Sequence, residues 1–322
     1  MTASLLQAYF PLLFWPSLGL ILFRLLPDAF PRFLGRSLYW VGVPLEIFSL
    51  IRRAEISNDI GLTPVITAAA LVLGLVLAEL GWRLLQLLSQ LAPLKPLVAD
   101  IDWSDRALQG SFTLASMLGN TGFVGLAVAP VLIEDPYLSW IVFYSVTHNI
   151  IGSYGLGVFV ASAYGRADLP YSRWQRLKDL LTVPSLWACG LSLGLRSVAF
   201  PDLVEQGLAG SIWIVIPAAL LLLGMRLSQL QNWTYLRLAL VPSLIKVLLV
   251  PIAMGLLAIA LGLPQPACLA LVLMSGMPSA FAGLILAEEY NLNRDLITLS
   301  IALTTGLLLG TLPLWIYLFD HF

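Results

Sequence analysis

The chain has 322 residues, of which 59% are hydrophobic and only 11% are charged. A soluble domain carries about 25% charged residues and a largely polar surface, so this composition excludes most soluble enzymes, nucleic-acid-binding proteins and secreted disulfide scaffolds. The net charge of -1 favours no charged partner, and the mean hydropathy of +0.90 indicates a membrane protein. The two cysteines, Cys189 and Cys268, lie in apolar runs and are interpreted as buried small side chains.

Apolar runs long enough to cross a bilayer recur along the chain. About 20 apolar residues span about 30 Å of hydrocarbon. The sequence predicts ten such segments, numbered here as spans 1 to 10: 5–26, 38–51, 62–90, 106–132, 137–163, 181–199, 207–228, 235–262, 264–289 and 294–319. The predicted fold class is therefore an all-α polytopic membrane protein with ten transmembrane helices.

Lysine and arginine are distributed unevenly between alternate connections. With an external N-terminus, most of the 17 fall on the inner side, where cationic residues are favoured. The inner set is Arg24, Arg32, Arg36, Arg83, Lys95, Arg106, Arg166, Arg173, Arg176, Lys178, Arg226, Arg237 and Arg294. Only Arg52, Arg53 and Arg196 fall outside, and Lys246 lies within span 8. We therefore expect a multi-pass protein of the cytoplasmic membrane with both termini outside.

The two halves of the chain resemble each other. Four short matches occur in the same order on corresponding spans: FVGLAVA at Phe123 with FAGLILA at Phe281, WPSL at Trp15 with VPSL at Val183, VGVPLEI at Pro44 with IVIPAAL at Pro217, and TPVI at Pro64 with VPSLI at Pro242. Five spans per half make the second half enter from the opposite side, which predicts inverted repeats over 1–163 and 181–322. The alternative is chance similarity among leucine-rich helices. The linker 164–180 is predicted as a basic loop or a short amphipathic helix at the inner surface.

Spans 4 and 9 are interrupted by glycine and proline, in SMLGNTGFVGLAVAP and LVLMSGMPSAFAGLILAEEY. These residues weaken a helix, and the freed backbone groups must line protein or a water-filled cavity because lipid cannot bind them. The half-helix N-termini would then favour an anionic ligand. The predicted substrate-binding residues are Asn120, Thr121, Gly122, Gly125, Ser275, Gly276, Pro278 and Ser279. Close packing or a simple kink is the alternative interpretation.

Three further polar residues lie deep in the predicted spans and are candidates for coupling transport to a gradient. Lys246 in span 8 is costly in lipid, so it is either a substrate or coupling charge or a structural, snorkelling side chain. His148 and Asn149 lie near the middle of span 5. His148 is either part of a proton relay or a hydrogen-bonded core residue.

Other polar residues have less direct interpretations. Glu46 and Glu79 lie near predicted span ends and are expected at the membrane interface, and Thr304 and Thr305 either reach the site or bond within their own helix. The sequence has no HExxH, GxSxG or Walker A motif and only two histidines. We therefore predict no enzyme activity, no metal site and no cofactor.

Several segments resemble the auxin efflux carrier family of permeases, in the bile-acid/sodium symporter-like superfamily. They are GNTGFVGLAVAP and the stretches Ile216–Leu227, Ser243–Leu257 and Gly276–Trp315. The family includes plant auxin exporters and bacterial malonate or dicarboxylate permeases. The resemblance implies a scaffold of spans 1, 2, 6 and 7, and a transport domain of spans 3–5 and 8–10 that moves like an elevator, with the broken spans 4 and 9 crossing at the substrate.

By position in that family, Asn120 would contact a substrate carboxylate, and Gly125 to Ala127 and Pro278 would form the two crossover points. This chain has Leu126 and Ala127 where the family usually has proline, so the break in span 4 is softer or displaced. The short connection after span 5 favours a compact bacterial-type member.

The resulting hypothesis is a secondary transporter of a small organic anion, either auxin-like or a mono- or dicarboxylate. A sodium-coupled symporter of the bile-acid type and a membrane sensor without transport are the alternatives. The expected partners are the anion and the lipid bilayer, with no nucleic acid, and a homodimer through the scaffold faces is left open.

Overall fold

The computed structural model describes residues 2–27, 29–53, 58–90, 101–133, 135–165, 181, 184–229 and 232–319. Within these residues the regular elements are helices, apart from one isolated β-bridge. The α-helices are α1 Thr2–Leu22, α2 Phe30–Ser37, α3 Val43–Arg53, α4 Leu62–Leu88, α5 Arg106–Met117, α6 Leu126–Leu132, α7 Leu138–Thr147, α8 Val158–Tyr164, α9 Pro184–Gly194, α10 Asp202–Ser228, α11 Leu236–Leu244, α12 Val250–Ala260, α13 Gln265–Ser275, α14 Phe281–Glu289 and α15 Arg294–Phe319. Short 3-10 turns cover Asn58–Gly61 and Asp135–Tyr137, and π-helical segments cover Leu38–Gly42, Thr121–Gly125, His148–Gly157 and Ile245–Leu249.

Four continuous helical stretches of the described chain are long and apolar enough to cross a membrane. They are Leu62–Leu88, Asp202–Ser228, Leu236–Ala260 and Arg294–Phe319, which correspond to predicted spans 3, 7, 8 and 10. Several of the other predicted spans are divided into shorter pieces by π-helical segments or breaks. The all-helical architecture is that of a multi-pass membrane protein. The count of ten spans stays a prediction, and residues 166–180 of the predicted linker lie outside the described part.

Span 2 differs from the prediction, and the difference moves Glu46. The helical path begins at Phe30 with α2 and continues through the π-helical segment Leu38–Gly42 into α3, so it starts eight residues before the predicted boundary. Glu46 therefore lies inside the span and is only 1% exposed. Its expected place at the membrane interface was wrong. Glu79 remains partly exposed and forms an ion pair with Arg83 at 2.5 Å.

The helices pack as two groups. In the peripheral group, which contains α1, α2, α3, α9 and α10, α1 packs on α10, and α3 packs on both α9 and α10. Gly19 and Gly224 allow the α1–α10 contact, because a Cβ on either would overlap the backbone of the facing helix. The remaining ten α-helices form the crossing group, in which α4 packs on α5, α12 on α13, and α15 on both α5 and α11.

Candidate substrate site at the crossing of two broken helices

The interruptions predicted in spans 4 and 9 lie against each other inside the crossing group. Helix α5 ends at Met117, and the chain runs through an extended segment at 118–120 before the next helical turn. Helix α13 ends at Ser275, and α14 begins at Phe281. Gly119 of the first break and Ser279 of the second form an isolated antiparallel β-bridge.

Two backbone hydrogen bonds flank this bridge. The amide of Asn120 donates to the carbonyl of Pro278 at 2.6 Å, and the amide of Ala280 donates to the carbonyl of Leu118 at 3.0 Å. Broken helices leave backbone donors and acceptors without partners, and these are costly to bury. Each break therefore supplies one acceptor to the other, and the remaining groups of the crossing are bonded by the side chains described below.

The break in span 4 lies earlier than the family resemblance implied. Residues Thr121–Gly125 are π-helical and Leu126–Leu132 are α-helical, and Gly125 itself has helical dihedral angles. The expected crossover at Gly125–Ala127 was therefore wrong. Leucine and alanine continue a helix where proline would have interrupted it, so the chain breaks instead at Gly119. Pro278 does lie in the second crossing segment.

Two buried basic side chains lie behind the crossing. The amide of Gly119 donates to Nε2 of His148 at 3.1 Å, and Nζ of Lys246 donates to the carbonyl of Ser275 at 2.7 Å. Both side chains are almost fully buried, at 1% and 2% exposure. A carbonyl at the C-terminus of a helix such as α13 is a favourable partner for an ammonium group. In this arrangement both side chains bind backbone groups of the crossing and do not line the cavity described below.

The hydroxyl groups of the second break are engaged within the protein. Ser279 donates its amide to Oγ1 of Thr304 at 3.0 Å and its hydroxyl to the carbonyl of Ala115 at 2.8 Å. Ser275 donates its hydroxyl to the carbonyl of Val272 at 3.1 Å. The two bonds of Ser279 fix the second break to α5 and α15, whereas that of Ser275 stays within α13.

The first break keeps unsatisfied polar atoms. Oδ1 of Asn120 accepts from the amide of Phe123 at 3.2 Å and so caps the next helical turn, but Nδ2 of Asn120 has no partner. The buried hydroxyl groups of Thr121 and Ser153 also have no partner. Buried donors are normally bonded, and two of these three residues, Asn120 and Ser153, line the cavity described below.

A cavity of about 610 Å³ separates the two helix groups. One end reaches the crossing at Gly119, Asn120 and Ala280. The first turns of both second half-helices line it as well, through Gly122 and Phe281. Cavities of this volume hold small organic molecules.

The other end of the cavity is cationic. Arg32 and Arg36 of α2 and Arg226 of α10 line it, together with Glu288 of α14. Glu288 already pairs with Arg294 at 3.3 Å, whereas no carboxylate of the described chain lies within 4.0 Å of the other three arginines. Positive charge that is not neutralised raises the local concentration of anions.

The predicted site residues divide into three sets. Asn120, Gly122 and Asn149 line the cavity. Thr121, Ser275, Gly276, Pro278, Ser279, His148 and Lys246 lie at or behind the crossing, outside the cavity lining. Gly125 packs on Met274 inside the helical stretch, and Ala127 is buried one turn into it.

Two features of the cavity were not predicted from the sequence: a pair of tyrosines, and the three arginines Arg32, Arg36 and Arg226. The hydroxyl of Tyr154 donates to the hydroxyl of Tyr39 across the cavity, which joins the two helix groups. Both tyrosines lie in π-helical segments, which often mark functional sites but have no simple sequence signature. The clustering of arginines on the inner side was visible in the sequence, but it was interpreted only as evidence for the orientation of the chain in the membrane.

Comparisons with known proteins indicate a membrane transporter. Residues 174–316 match the family described as membrane transport protein. An uncharacterized transporter of Methanocaldococcus jannaschii is 24% identical over 303 residues, which cover 91% of each chain. Another uncharacterized transporter, from Methanothermobacter thermautotrophicus, is 26% identical over 293 residues, 88% of this chain and 87% of that one. These similarities support a multi-pass membrane transporter rather than an enzyme.

Proposed function

We propose that this chain is a secondary carrier that moves a small organic anion across the cytoplasmic membrane by elevator-type alternating access. The observation that carries the proposal is the free Nδ2 of Asn120, at the place where two broken helices meet a cavity with a cationic wall. Such a donor binds a carboxylate oxygen well, because hydrogen bonds to charged acceptors are the stronger ones.

The surrounding backbone favours the same ligand. The half-helices that begin at Thr121 and at Phe281 both start beside the cavity, so their positive dipole ends meet there. Arg32, Arg36 and Arg226 would attract the anion into the open end, and Asn120 would bind its carboxylate at the closed end.

The packing of the helices supports inverted repeats. If span 1 exchanges with span 6, span 2 with span 7, and so on, the contact of α1 with α10 becomes the contact of α9 with α3, and both are observed. The contact of α4 with α5 likewise becomes that of α12 with α13, and the contact of α5 with α15 becomes that of α13 with α7. In folds built from inverted repeats, each repeat can adopt the conformation of the other, and this exchange opens the site to the opposite side of the membrane. We propose that the cationic end faces the cytoplasm and that both termini face outward.

Uptake into proteoliposomes tests the function. Labelled monocarboxylates, dicarboxylates and indole acids are offered to the wild-type protein and to Asn120→Ala, Pro278→Ala and Thr305→Val, the last as a control because its hydroxyl bonds only Ile301 of its own helix. We expect uptake of at least one acid by wild type and Thr305→Val, and a large loss in Asn120→Ala and Pro278→Ala. Wild-type rates in both site variants would refute the assigned site, and binding without flux would favour the sensor.

The sodium-coupled alternative predicts a cation at the crossing. Spans 4 and 9 carry no acidic residue before Glu288, and the amino group of Lys246 lies at the crossing against Gly119 and Ser275, so the crossing offers sodium no carboxylate ligand. Replacing sodium by potassium is therefore expected to leave uptake unchanged.

A further inference from the structure

A buried carboxyl group lies one helical turn beyond Val43, which lines the cavity. Glu46 of α3 is 1% exposed, and its Oε1 atom has no hydrogen-bond partner. Within the described residues, no lysine, arginine or histidine nitrogen lies within 4.0 Å of it. Neither the proposed binding of the anion nor the packing of the crossing uses this group.

Its position continues the cavity wall. Along the helical path from α2 through Leu38–Gly42 into α3, residues at a spacing of three or four line the cavity, at Arg32, Arg36, Tyr39 and Val43, with Gly35 beside Arg36. Glu46 is the next position on the same helical face. At 1.5 Å per residue it lies about 4.5 Å beyond Val43 along the helix axis. The carboxyl is therefore one turn past the cavity, on the side away from its cationic end.

The surroundings do not stabilise an ionised carboxylate. Helix α3 packs mainly on the segment Leu38–Gly42, on α9 and α10 of its own group, and on α7 of the crossing group. The titratable or charged side chains on these elements are Tyr39, Cys189, Asp202, Glu205, Arg226 and Tyr144. Arg52 of α3 itself binds Glu205 and the carbonyl of Leu195, so it is engaged elsewhere. A buried charge without a partner is strongly unfavourable, so Glu46 holds its proton in this conformation.

Buried donors without partners occur on both α3 and α7, which pack on each other at the boundary between the two helix groups. Ser49 of α3 and Ser139, Trp140 and Ser145 of α7 each have a buried polar atom without a partner. Each can donate a hydrogen bond. Since α3 and α7 belong to different groups, a relative movement of the groups would change the position of the α7 donors relative to Glu46.

We propose that Glu46 binds and releases one proton in each transport cycle and so couples the anion to a proton moving in the same direction. This rests on the proposed function. The carboxylate takes a proton from water on one side and forms an O–H bond, and that bond breaks when the proton passes to water on the other side. An anion in the cavity repels ionised Glu46 but not the protonated form, so each ligand raises the affinity for the other by the same factor.

Infrared spectroscopy tests whether Glu46 is protonated, in the absence of any transported anion. Purified protein in dodecyl maltoside, a detergent without ester carbonyls, is examined at neutral pH for the carbonyl stretch of a protonated carboxylic acid. We expect this band in wild type, in Glu46→Asp and in the control Glu79→Gln, whose side chain is 38% exposed and ion-paired. The band should be missing in Glu46→Gln, which has the shape of the protonated form and should fold. An unchanged band in Glu46→Gln would overturn the proposal.

Proteoliposomes test the coupling, with labelled succinate as the probe and the membrane potential clamped at zero by potassium and valinomycin. One proton per anion gives about tenfold accumulation per unit of pH difference. We expect this in wild type and Glu79→Gln, and none in Glu46→Gln, although that variant still exchanges succinate at equal pH. Equal accumulation in Glu46→Gln and wild type would refute proton coupling through Glu46. Failure of wild type to exchange succinate would instead count against the proposed function for dicarboxylates, and the infrared band would still decide whether Glu46 holds a proton.

Discussion

The two helix breaks use their polar groups in opposite ways. In the second break, both hydroxyl groups donate to carbonyls, and the amide of Ser279 is held by Thr304. In the first break, Asn120 caps the next turn with Oδ1, its Nδ2 atom has no partner, and the residue lines the cavity. The pair is similar in topology but not in chemistry. The bonds of the second break anchor the crossing, and we propose that the first break recognises the ligand.

This contrast predicts that the two breaks respond to mutation in different measurements. Asn120→Ala is expected to weaken binding of a transported anion by roughly 10–100-fold, because a hydrogen bond to a charged group contributes about 1.5–3 kcal/mol. Ser279→Ala should leave affinity within about twofold but lower the free energy of unfolding by about 1 kcal/mol, since only an internal bond is lost. Calorimetric titration and denaturant unfolding of the purified variants measure the two quantities.

Asn120→Ala also removes a helix cap, which alone costs about 1 kcal/mol of stability. Asn120→Ser separates the two roles, because serine can still cap the turn but lacks the amide donor. Full affinity in Asn120→Ser would show that the cap and not the amide nitrogen matters, and the contrast between the breaks would be lost.

Gly119 of the first break packs so closely on Lys246 that it leaves no room for a larger side chain. A Cβ at this position would lie 2.9 Å from Cε and 3.0 Å from Nζ of Lys246, whose ammonium is held by Ser275. We expect Gly119→Ala to destabilise the protein by about 1–3 kcal/mol, as overpacking of a well-filled core does. Thermal unfolding in detergent measures this. Gly306→Ala is the matched control, because nothing lies within 4 Å of its Cβ. A similar melting temperature for the two variants would mean that Lys246 moves aside freely.

Much of the helical framework could be predicted from the sequence, because long apolar runs bounded by charged or turn residues leave little choice. Span 3 was expected at 62–90 and is observed at Leu62–Leu88, and span 10 was expected and observed at 294–319. The two interrupted spans were also identified, since glycine and proline act locally. The features that could be predicted are therefore those set by local sequence, namely the apolar helices and the positions of the interrupted spans.

The cavity wall could not be predicted, since it is assembled from helices distant in sequence. Arg226 and Arg32 meet across the cavity only because α10 packs beside α2. Glu46 was misplaced because the π-helical segment Leu38–Gly42 joins two short helices into one span, and that junction has no local signal. Gly119 was missed as the crossing point because its role is defined by its partner Ser279.

The anchoring of the second break is tested on α15. Thr304→Val removes the acceptor of the buried Ser279 amide, and we expect a loss of about 1–3 kcal/mol in the free energy of unfolding. Thr305→Val, one residue along, loses only a bond to the carbonyl of Ile301 within its own helix and should change stability by under about 0.5 kcal/mol. Denaturant unfolding of both variants gives the difference, and equal values would show that Thr304 is not an anchor.

The chain segments that precede the two broken helices, before α5 and before α13, differ as well. Before the first, the amide and hydroxyl of Ser104 both donate to Asp102, at 2.9 and 2.6 Å, and Asp105 caps α5. Before the second, Pro264 precedes α13 without a side-chain cap. The two bonds from Ser104 lower the pKa of Asp102 below its ordinary value of 3.8.

A lowered pKa in the folded state stabilises the fold at neutral pH, and this contribution is lost as the pH falls through that lowered value. Ser104→Ala removes one of the two bonds, so its melting temperature should lie slightly below that of wild type at pH 7 and meet it in acid. Ser162→Ala is the control, because its hydroxyl donates to the carbonyl of Phe159, which does not titrate. If the melting temperature of Ser104→Ala stayed below that of wild type in acid, the loss would come from turn geometry and not from the charge of Asp102. The segment before α5 would then resemble the segment before α13, which has no such charge.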